Sequence, residues 1–592
     1  MAISKRLGDW LEERTGWRTG ARAWLDRPLV GGAPWASAMA ASVATCFGVL
    51  ALSGVTLMTA YGASPQAAWA SVHYVQFVQE RGWVVRGLHY WAAQALVVLA
   101  VVHVVHGAFI ASYRRPREVA WWLTLGVLGV AVAEGITGGL LPWDERGWWA
   151  RVVEGNIIGL APGLGGWLQQ MAQGGTELGA LGLSRSYATH VLVLPALFVA
   201  MLWARRVIVR RHGWTEATGA ASLSSATQLV RDALAAVAVV VVVFALTGVG
   251  HGAPLEAPAD PMGDYPARPE WFLMTLYELR KLFHGAGEFF GTTLAPLVAG
   301  VYLALLPWLD RPGRARALVL APVVLIFAGA VVLGEMATRK DAHDETYAKQ
   351  RAKADLRAAA AVKLAMGGVP PEGALAMVRA DPELRGRDLF DQHCASCHVL
   401  GDLGDPKKAT ASKLDGWGTP QWIAAMMHDP DAPEFFGKGP FKGNMPSVDT
   451  RPKDKPADQP WKPMLPTEAE RTAVAAFLAM QGDEPGDPPR ALDDATRALA
   501  EKIVSNRCAN CHFYKGDGDV NGSDVAPELL HYGSIAWTRA QVANPATVET
   551  YREKALSDEL KKHMPRFDKD LSAADIDVVA RWTRAHARGF SL

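Results

Sequence analysis

Seven apolar stretches in the first 340 residues constrain the fold more than any other feature of the sequence. Each is about 20 residues long, the length of α-helix that spans the hydrocarbon core of a bilayer. Only helices satisfy their backbone hydrogen bonds within one such segment, so we expect an all-α membrane protein with a polar C-terminal tail. The predicted spans are 36–58, 87–110, 119–140, 187–209, 229–250, 291–309 and 316–336.

Positive charges between these spans predict their orientation. Short loops rich in arginine and lysine stay in the cytoplasm. Such residues are concentrated in the N-terminal segment and in the second, fourth and sixth loops, which are alternate loops. After seven crossings, the chain beyond about residue 337 is therefore expected on the extracytoplasmic side. The residues are Lys5, Arg6, Arg14, Arg18, Arg22, Arg27, Arg114, Arg115, Arg117, Arg205, Arg206, Arg210, Arg211, Arg311, Arg314 and Arg316.

The tail contains two Cys-x-x-Cys-His motifs, "CASCH" and "CANCH". In such a motif the two thiols form thioether bonds to a porphyrin, and the adjacent histidine becomes the proximal iron ligand. A lone Cys-x-x-Cys could instead be a redox disulfide or half of a zinc site. A histidine directly after both copies favours two covalent haems c. The residues are Cys394, Cys397 and His398, and Cys508, Cys511 and His512.

Each haem c needs a sixth iron ligand, and a methionine in a Met-Pro turn would supply a thioether. "GNMPS" and "KHMPRF" place Met445 and Met564 47 and 52 residues after the histidines of their respective motifs, so these two are the predicted ligands. The alternative is that they fill apolar space, as methionine often does. The competing candidates are Met426, Met427 and Met464 and, as weaker substitutes, His428, His531 and His563.

The tail is predicted to hold two small helical cytochrome c domains in tandem, at 382–482 and 493–592. The Pro/Gly-rich segment "QGDEPGDPPR", 481–490, indicates a linker between them at 483–492. Residues 341–381 form a second linker, which begins as an exposed polar helix leading from the membrane. The insert "DTRPKDKPADQPWKPMLP" is a proline-rich loop without an assigned chemistry.

Histidines in the second span require partners, because a lone imidazole is costly in lipid. His89 and His103 are 14 residues apart, close to four helical turns, so they share one face at a rise of about 21 Å. One helix could thus hold ligands at two membrane depths. The alternative is that each histidine faces a water-filled cavity or a neighbouring helix. Because the same chain carries two haem c motifs, haem b is favoured, with His190 of the fourth span as an opposing ligand.

Six motifs resemble, in order and spacing, cytochrome b of the quinol-oxidising cytochrome bc complexes. The chloroplast and cyanobacterial type, in which cytochrome b and subunit IV are separate chains, is the most similar. The resemblance covers about residues 8–336. It implies an amphipathic segment at 1–35, a four-helix haem b bundle at 36–225 and a three-helix subunit IV-like region at 226–340. The motifs are "WLEERTGW", "RGLHYW", "SYRRPREVAWW", "GITGGLLPWDERGWWA", "SRSYATHVLVLP" and "RPEWFLMTLYELRK".

By position, this resemblance implies that His89 and His190 ligate the haem b near the extracytoplasmic face. It implies that His103 is one ligand of a second haem b near the cytoplasm and that Arg86 lies near the haem propionates. His106 stands where the chloroplast-type protein has a basic residue, so it is expected to contact a propionate or to be merely polar.

The family's fourth haem ligand would lie 14 or 15 residues after His190, where this sequence has Ala204 and Arg205. Neither is a normal iron ligand. The second haem b is therefore expected to be either absent or held by His103 with an atypical partner. Ala38 stands where the chloroplast-type protein attaches an extra haem through cysteine, so that cofactor is expected to be missing.

The segment "PEWF", 269–272, matches the family's Pro-Glu-Trp-Tyr motif at the quinol site. Quinol oxidation releases protons, so the resemblance implies that Glu270 accepts one of them. The alternative is an ordinary loop carboxylate at a helix start. Phe272 replaces the family's tyrosine and removes one hydroxyl, and "LPWDERGWW", 141–149, resembles the opposite wall.

Taken together, the resemblance implies a subunit of a quinol:cytochrome c oxidoreductase in a bacterial inner membrane, with the haem c domains in the periplasm. The expected partners are membrane quinone, a separate Rieske iron–sulfur protein, and a downstream cytochrome c or terminal oxidase, in a homodimeric complex. The alternative is a non-bifurcating quinol-linked conduit and membrane anchor that feeds a dedicated partner reductase. Because the net charge is only +1 and topology accounts for the basic clusters, no nucleic acid is expected.

Overall fold

A computed structural model describes residues 2–26, 34–215, 225–311, 315–451, 456–515, 526–551 and 564–590. Arg27, Arg314 and His563 lie outside these residues. The chain divides into two compact units, Met1–Met377 and Val378–Leu592. The described residues form helices, with only isolated β-bridges besides, so the predicted all-α class is confirmed.

Unit 1 is a helical bundle whose long members are apolar. Three π-helical turns interrupt it, at Tyr74–Val78, Thr189–Val193 and Phe290–Leu294. The helices are α1 Ala2–Thr15, α2 Trp17–Leu25, α3 Pro34–Met58, α4 Ala68–His73, α5 Gly82–Phe109, α6 Glu118–Leu140, α7 Glu145–Gly159, α8 Gly165–Gln173, α9 Ala180–Ala188, α10 Leu194–His212, α11 Ser225–Val249, α12 Met274–Arg280, α13 Ala295–Leu309, α14 Arg316–His343, α15 Glu345–Ala365 and, across the unit boundary, α16 Ala374–Ala380.

Seven of these helical segments are long and apolar enough to cross a membrane, as the sequence predicted. The fourth differs most from its prediction, because α9, the π-helical turn Thr189–Val193 and α10 form one continuous span, Ala180–His212. Pro195 lies in the first turn of α10 and lacks the N–H that would bond four residues back. The backbone N–H of Leu194 instead bonds to the carbonyl of Thr189, five residues back, which places His190 on a π turn.

The core of unit 1 lies between α3, α5, α6, α10 and α11. Helix α3 packs against α5 and α11, and α6 packs against α5 and α10. Between them Phe47 and Phe198 stack with ring centroids 4.5 Å apart, and Phe198 is fully buried. This packing brings α5, which carries His89, and the fourth span, which carries His190, to face each other across the bundle.

Helix α15 is the polar helix that the sequence predicted after the last span. Its N-cap is Asp344, whose carboxylate accepts hydrogen bonds from two backbone N–H groups. Ion pairs fasten it to a loop of unit 1: Arg351 to Glu256 at 2.6 Å and Arg357 to Asp260 at 2.8 Å. The helix therefore packs against the rest of unit 1.

Unit 2 contains the repeated tail. Each helix begins at an Asp, Ser or Thr side chain that accepts a hydrogen bond from a backbone N–H of the first turn. The N-caps follow the same order, Asp then two hydroxyl residues, in both halves. The helices and their N-caps are α17 Pro382–His393 with Asp381, α18 Pro420–His428 with Thr419, α19 Glu468–Gln481 with Thr467, α20 Asp494–Asn506 with Asp493, α21 Ile535–Ala543 with Ser534 and α22 Ala573–Ala587 with Ser572.

The helices of unit 2 pair across the repeat. We refer to residues 382–482 as the first half of unit 2 and to residues 493–592 as the second half. Helix α17 of the first half packs against α22 of the second, and α19 of the first packs against α20 of the second. Helices α18 and α19 also pack together, as do α21 and α22. One continuous apolar core runs through both halves.

Candidate redox site

His89 on α5 and His190 on the fourth span face each other inside the bundle. Their ring centroids are 6.1 Å apart and the rings are nearly perpendicular. When two imidazoles bind opposite sides of one metal ion, their centroids are separated by two metal–nitrogen bonds of about 2 Å plus the distance from centroid to nitrogen in each ring. The observed spacing matches that requirement.

The Nδ1 atom of each ring is held by a neighbouring helix. The Ser53 hydroxyl donates to the Val49 carbonyl at 2.7 Å, so it accepts from Nδ1–H of His89 at 3.1 Å. Nδ1–H of His190 donates to the Glu134 carboxylate at 2.7 Å. Both rings are thereby fixed in the tautomer whose Nε2 lone pair is free, as is usual for histidines that bind a metal.

Two glycines let these rings approach the neighbouring helices. A Cβ at Gly54 on α3 would lie 3.1 Å from Cε1 of His89, and one at Gly138 on α6 would lie 2.7 Å from Cε1 of His190. The arrangement fits a haem b with two histidine ligands. Sequence reasoning missed Ser53, Gly54, Glu134 and Gly138, although a carboxylate inside an apolar span was a signal for Glu134.

Arg86 is buried and donates to protein groups. Its guanidinium bonds to Oε1 of Gln76 at 2.9 Å and to the carbonyls of Ala253 and Pro254, each at 2.6 Å. It thus fastens α5 to the loop that follows α11. Contact with a haem propionate remains a prediction.

His103 lies deeper along α5 and is also buried. Neither of its ring nitrogens has a hydrogen-bond partner among the described residues. The Trp214 ring lies edge-on at 6.3 Å between centroids, and the Arg205 guanidinium stacks on that ring at 4.7 Å. Arg205 also donates to the Thr124 hydroxyl at 2.7 Å. Arginine and tryptophan from other segments therefore adjoin His103, and His106 lies one turn further along the same helix.

The "PEWF" loop lies against the C-terminal end of α6. The Glu270 carboxylate is 3.3 Å from the Arg146 guanidinium, and its side chain is largely buried. A Cβ at Gly139 would lie 3.3 Å from Oε1 of Glu270, and one at Gly135 would lie 2.8 Å from the Phe272 ring. This places the loop and the predicted opposite wall together, as the resemblance implied.

A second carboxylate lies near Glu270. Burial raises the pKa of Glu154, on α7, to about 7, and the negative charge of Glu270 contributes to that rise. Arg151 lies 3.6 Å from Glu154 and opposes it. Glu154 can therefore exchange a proton near neutral pH, a role that sequence reasoning did not assign to it.

In unit 2 the two motif histidines are fixed alike. Nδ1–H of His398 donates to the Ser412 carbonyl at 2.8 Å, and Nδ1–H of His512 donates to the Pro527 carbonyl at 3.0 Å. Burial lowers the pKa of both rings, which keeps them neutral. The Nε2 lone pair of each is thus available to an iron ion.

Three of the four motif cysteines, Cys394, Cys508 and Cys511, line one cavity. The cavity, of about 330 Å³, is lined by residues of both halves. Its apolar wall and the aligned histidines fit covalently attached haem. Cys394, Cys508, His398, His512, Met445 and Met564 all line it.

Both predicted methionines line this cavity, as do the competing Met426, Met427 and Met464. Sδ of Met564 accepts a hydrogen bond from the Gln541 amide at 3.1 Å. The two described substitutes fit less well, because the lining residues include neither the exposed His428, which pairs with Asp449 at 2.9 Å, nor the exposed His531.

Comparison with known proteins identifies two family matches. The model described as "Cytochrome b(N-terminal)/b6/petB" matches residues 94–258, and the model described as "Cytochrome c" matches residues 384–481. Cytochrome b6 of Chlamydomonas reinhardtii is 32% identical over 169 residues, which are 28% of this chain and 79% of that protein. The cytochrome bc complex cytochrome b subunit of Chlorobaculum thiosulfatiphilum is 30% identical over 300 residues, 48% of this chain and 68% of that protein.

A solved structure titled "Hyperthermophilic respiratory Complex III" shares the fold. The TM-score is 0.50 at 23% sequence identity, and the match covers 56% of this chain and 91% of that one.

Proposed function

The chain belongs to the cytochrome b/b6 family of cytochrome bc complexes, with cytochrome c joined in the same polypeptide, and from this we propose that it oxidises membrane quinol within a quinol:cytochrome c oxidoreductase. Specifically, quinol would be oxidised at the "PEWF" loop and electrons would leave through haem b and through the haem c tail.

One observation carries the proposal: the end of α6 contacts both the haem b ligand and the quinol loop. Gly138 adjoins His190 and the next residue, Gly139, adjoins Glu270. A quinol in contact with Glu270 would therefore lie beside the His89–His190 pair. Electron transfer over a short distance and proton transfer to Glu270 both require this proximity.

The side chains around Glu270 support a proton-accepting role. Quinol oxidation releases two protons as two electrons leave, and a carboxylate within hydrogen-bonding reach can accept a proton. The Arg146 guanidinium lies 3.3 Å from the Glu270 carboxylate and orients it. Glu154, whose pKa is about 7, is suited to receive the proton next and to pass it toward solvent.

Bound at the His89–His190 pair and at the two Cys-x-x-Cys-His motifs, haem supplies one-electron carriers. Because the chain has no Rieske motif of its own, a separate Rieske iron–sulfur protein would take one electron from quinol toward the tail. A downstream cytochrome c or terminal oxidase would accept electrons from the tail. The complex would be homodimeric, in a bacterial inner membrane with unit 2 in the periplasm.

The surroundings of His103 favour a second candidate function. Arg205 and Trp214 from other segments adjoin this ring, and His106, the neighbouring histidine, lies on the same helix as His103. With one bis-histidine haem b, quinone reduction on the cytoplasmic side would lack its usual carrier. The chain would then act as a non-bifurcating quinol-linked conduit and anchor for a dedicated partner reductase.

The test compares Glu270→Gln with Asp264→Asn in the purified complex. Asp264 is an exposed carboxylate of the same loop, so this variant controls for lost charge. Glu270→Gln should slow quinol-dependent cytochrome reduction at least tenfold, within the usual range for losing a proton-transfer group, with unchanged haem spectra. Asp264→Asn should keep the native rate, and an equally fast Glu270→Gln variant would contradict the proposal. Co-purification of a Rieske protein separates the first candidate from the second.

A further inference from the structure

In unit 2, the helix that leads into the first cysteine motif packs against a helix of the second half. Gly386 on α17 lies directly against Trp582 on α22, where a Cβ would come within 2.3 Å of the Trp582 Cβ. The Phe390 ring lies 5.5 Å from the Trp582 ring. The absence of a side chain at Gly386 therefore permits this crossing.

The helix that leads into the second motif packs in turn against the first half. Arg507, the residue before Cys508, donates to the Met464 carbonyl at 2.8 Å and lies 3.3 Å from Glu470 in the first turn of α19. On α20, Ala500 is fully buried. Both helix pairs thus join one half to the other.

The segments that follow the two methionines are exchanged in the same way. Phe567, three residues after Met564, has its ring 5.9 Å from that of His393, the residue before Cys394. Three residues span at most about 11 Å, so Met564 is tethered near the first motif. Its Sδ accepts a hydrogen bond from Gln541 on α21. Helix α21 packs against α22, as α17 does, so these three helices form one group.

Val448 holds the corresponding place after Met445. Its carbonyl accepts from Leu465 N–H at 3.0 Å, and Leu465 directly follows Met464, whose carbonyl accepts from Arg507. The segment that follows Met445 is thereby linked to Arg507, the residue before the second motif. Val448 N–H bonds to the carbonyl of Met427 and Phe567 N–H to that of Val542, so both halves use one loop geometry.

Helices α17, α21 and α22 form one group, and α18, α19 and α20 form the other. The chain passes from one group to the other at two equivalent turns. Gly418 and Gly533 both have left-handed backbones, with φ of 74° and 75°. At either glycine a Cβ would lie 2.7 Å from Nη2 of Arg588, and Trp417 donates to the Tyr532 hydroxyl at 3.0 Å. The two crossings therefore lie side by side, closed by the last helix of the chain.

We propose that the two cytochrome c halves exchange their sixth ligands, so that Met564 serves the haem held by Cys394, Cys397 and His398, and Met445 serves the haem held by Cys508, Cys511 and His512. This rests on the two haems c of the proposed function. Each thioether then comes from the segment that packs against the helix leading into that haem's cysteines. Neither half would hold a six-coordinate haem alone.

The test uses two versions of the full chain, each retaining one attachment site. Cys508→Ala with Cys511→Ala leaves the first haem, and Cys394→Ala with Cys397→Ala leaves the second. Met445→Ala, Met564→Ala and the control Met464→Ala are made in both. The readouts are the charge-transfer band of methionine-ligated ferric haem c and the midpoint potential, which falls when the thioether is lost.

With only the first haem present, Met564→Ala should abolish the band while Met445→Ala and Met464→Ala keep it. With only the second haem, Met445→Ala should abolish the band and Met564→Ala keep it. Met564→His should restore a six-coordinate low-spin haem in the first version alone. The reverse pattern, or loss of both bands by either methionine variant, overturns the exchange. If the parent chain lacked covalent haem on stained gels, the proposed function itself would fail.

Discussion

Replacing Gly138 with alanine tests the His89–His190 haem site directly, because this glycine lets the His190 ring lie against α6. The added Cβ would be 2.7 Å from Cε1 of the ring, whereas carbon atoms in packed interiors lie about 3.5–4.0 Å apart. The ring must therefore retreat by roughly 1 Å. That shift would take Nδ1 from its 2.7 Å contact with Glu134 to beyond hydrogen-bonding distance.

Loss of such an outer partner of a metal ligand typically weakens metal binding about 10–100-fold. This is about 1.4–2.8 kcal/mol, and we expect haem b affinity to fall by that factor in Gly138→Ala. The assay is competition with an excess of an apo haem-binding protein, followed by pyridine haemochrome quantitation. The covalent haems c cannot be extracted, so they serve as the internal standard.

Three further glycines provide graded controls. At Gly54 the added Cβ would be 3.1 Å from the His89 ring, so a movement of a few tenths of an ångström suffices and the loss should be smaller. At Gly129 on α6 and Gly48 on α3 nothing lies within 4 Å. Alanine there should leave haem b in place and stabilise the helix by up to about 1 kcal/mol. If Gly138→Ala held haem b as tightly as Gly129→Ala, the close approach of His190 to α6 would be refuted.

Three other predictions concern the remaining sites. Haem-stained denaturing gels of Cys394→Ala and of Cys508→Ala should each keep partial signal and the double variant none, and signal in the double variant would exclude the assigned attachment. Glu154→Gln should remove the decline of quinol-oxidation kcat/KM below about pH 7, because the wild-type carboxylate accepts a proton only when ionised and its pKa is about 7; an unchanged acidic limb would argue against the relay. Low-temperature spectra should show one bis-histidine haem b per chain, and two such haems would contradict the expectation that His103 has no histidine as an opposing ligand.

The membrane spans and the cysteine motifs were predictable because they depend on local sequence. Apolar length fixes a span, and the predicted start of the second, 87, differs from the observed Gly82 by one helical turn or a little more. The fourth span is longer than predicted because the wide turn before Pro195 continues the helix instead of ending it. Such a π turn has no sequence signature besides the proline.

The helix pairing in unit 2 could not be predicted, because the two halves carry the same pattern. Gly386 and Ala500 are both small, and Trp582 and Phe477 are both large and buried. Each small residue could face either aromatic residue, so the pattern fits exchanged and unexchanged halves equally. Only the packing of the whole unit selects between them.

The glycines of "GITGGL" show why the histidine and the quinol loop cannot be altered independently. Gly135, Gly138 and Gly139 each cost a helix about 1 kcal/mol relative to alanine. Their Cβ positions would fall on Phe272, His190 and Glu270 respectively. Less than two turns of α6 thus bring the proposed haem ligand His190 and the proposed proton acceptor Glu270 to the same helix end. Any side chain added there would displace His190, Glu270 or Phe272, so the close approach of these groups to α6 requires glycines that lower the stability of the helix.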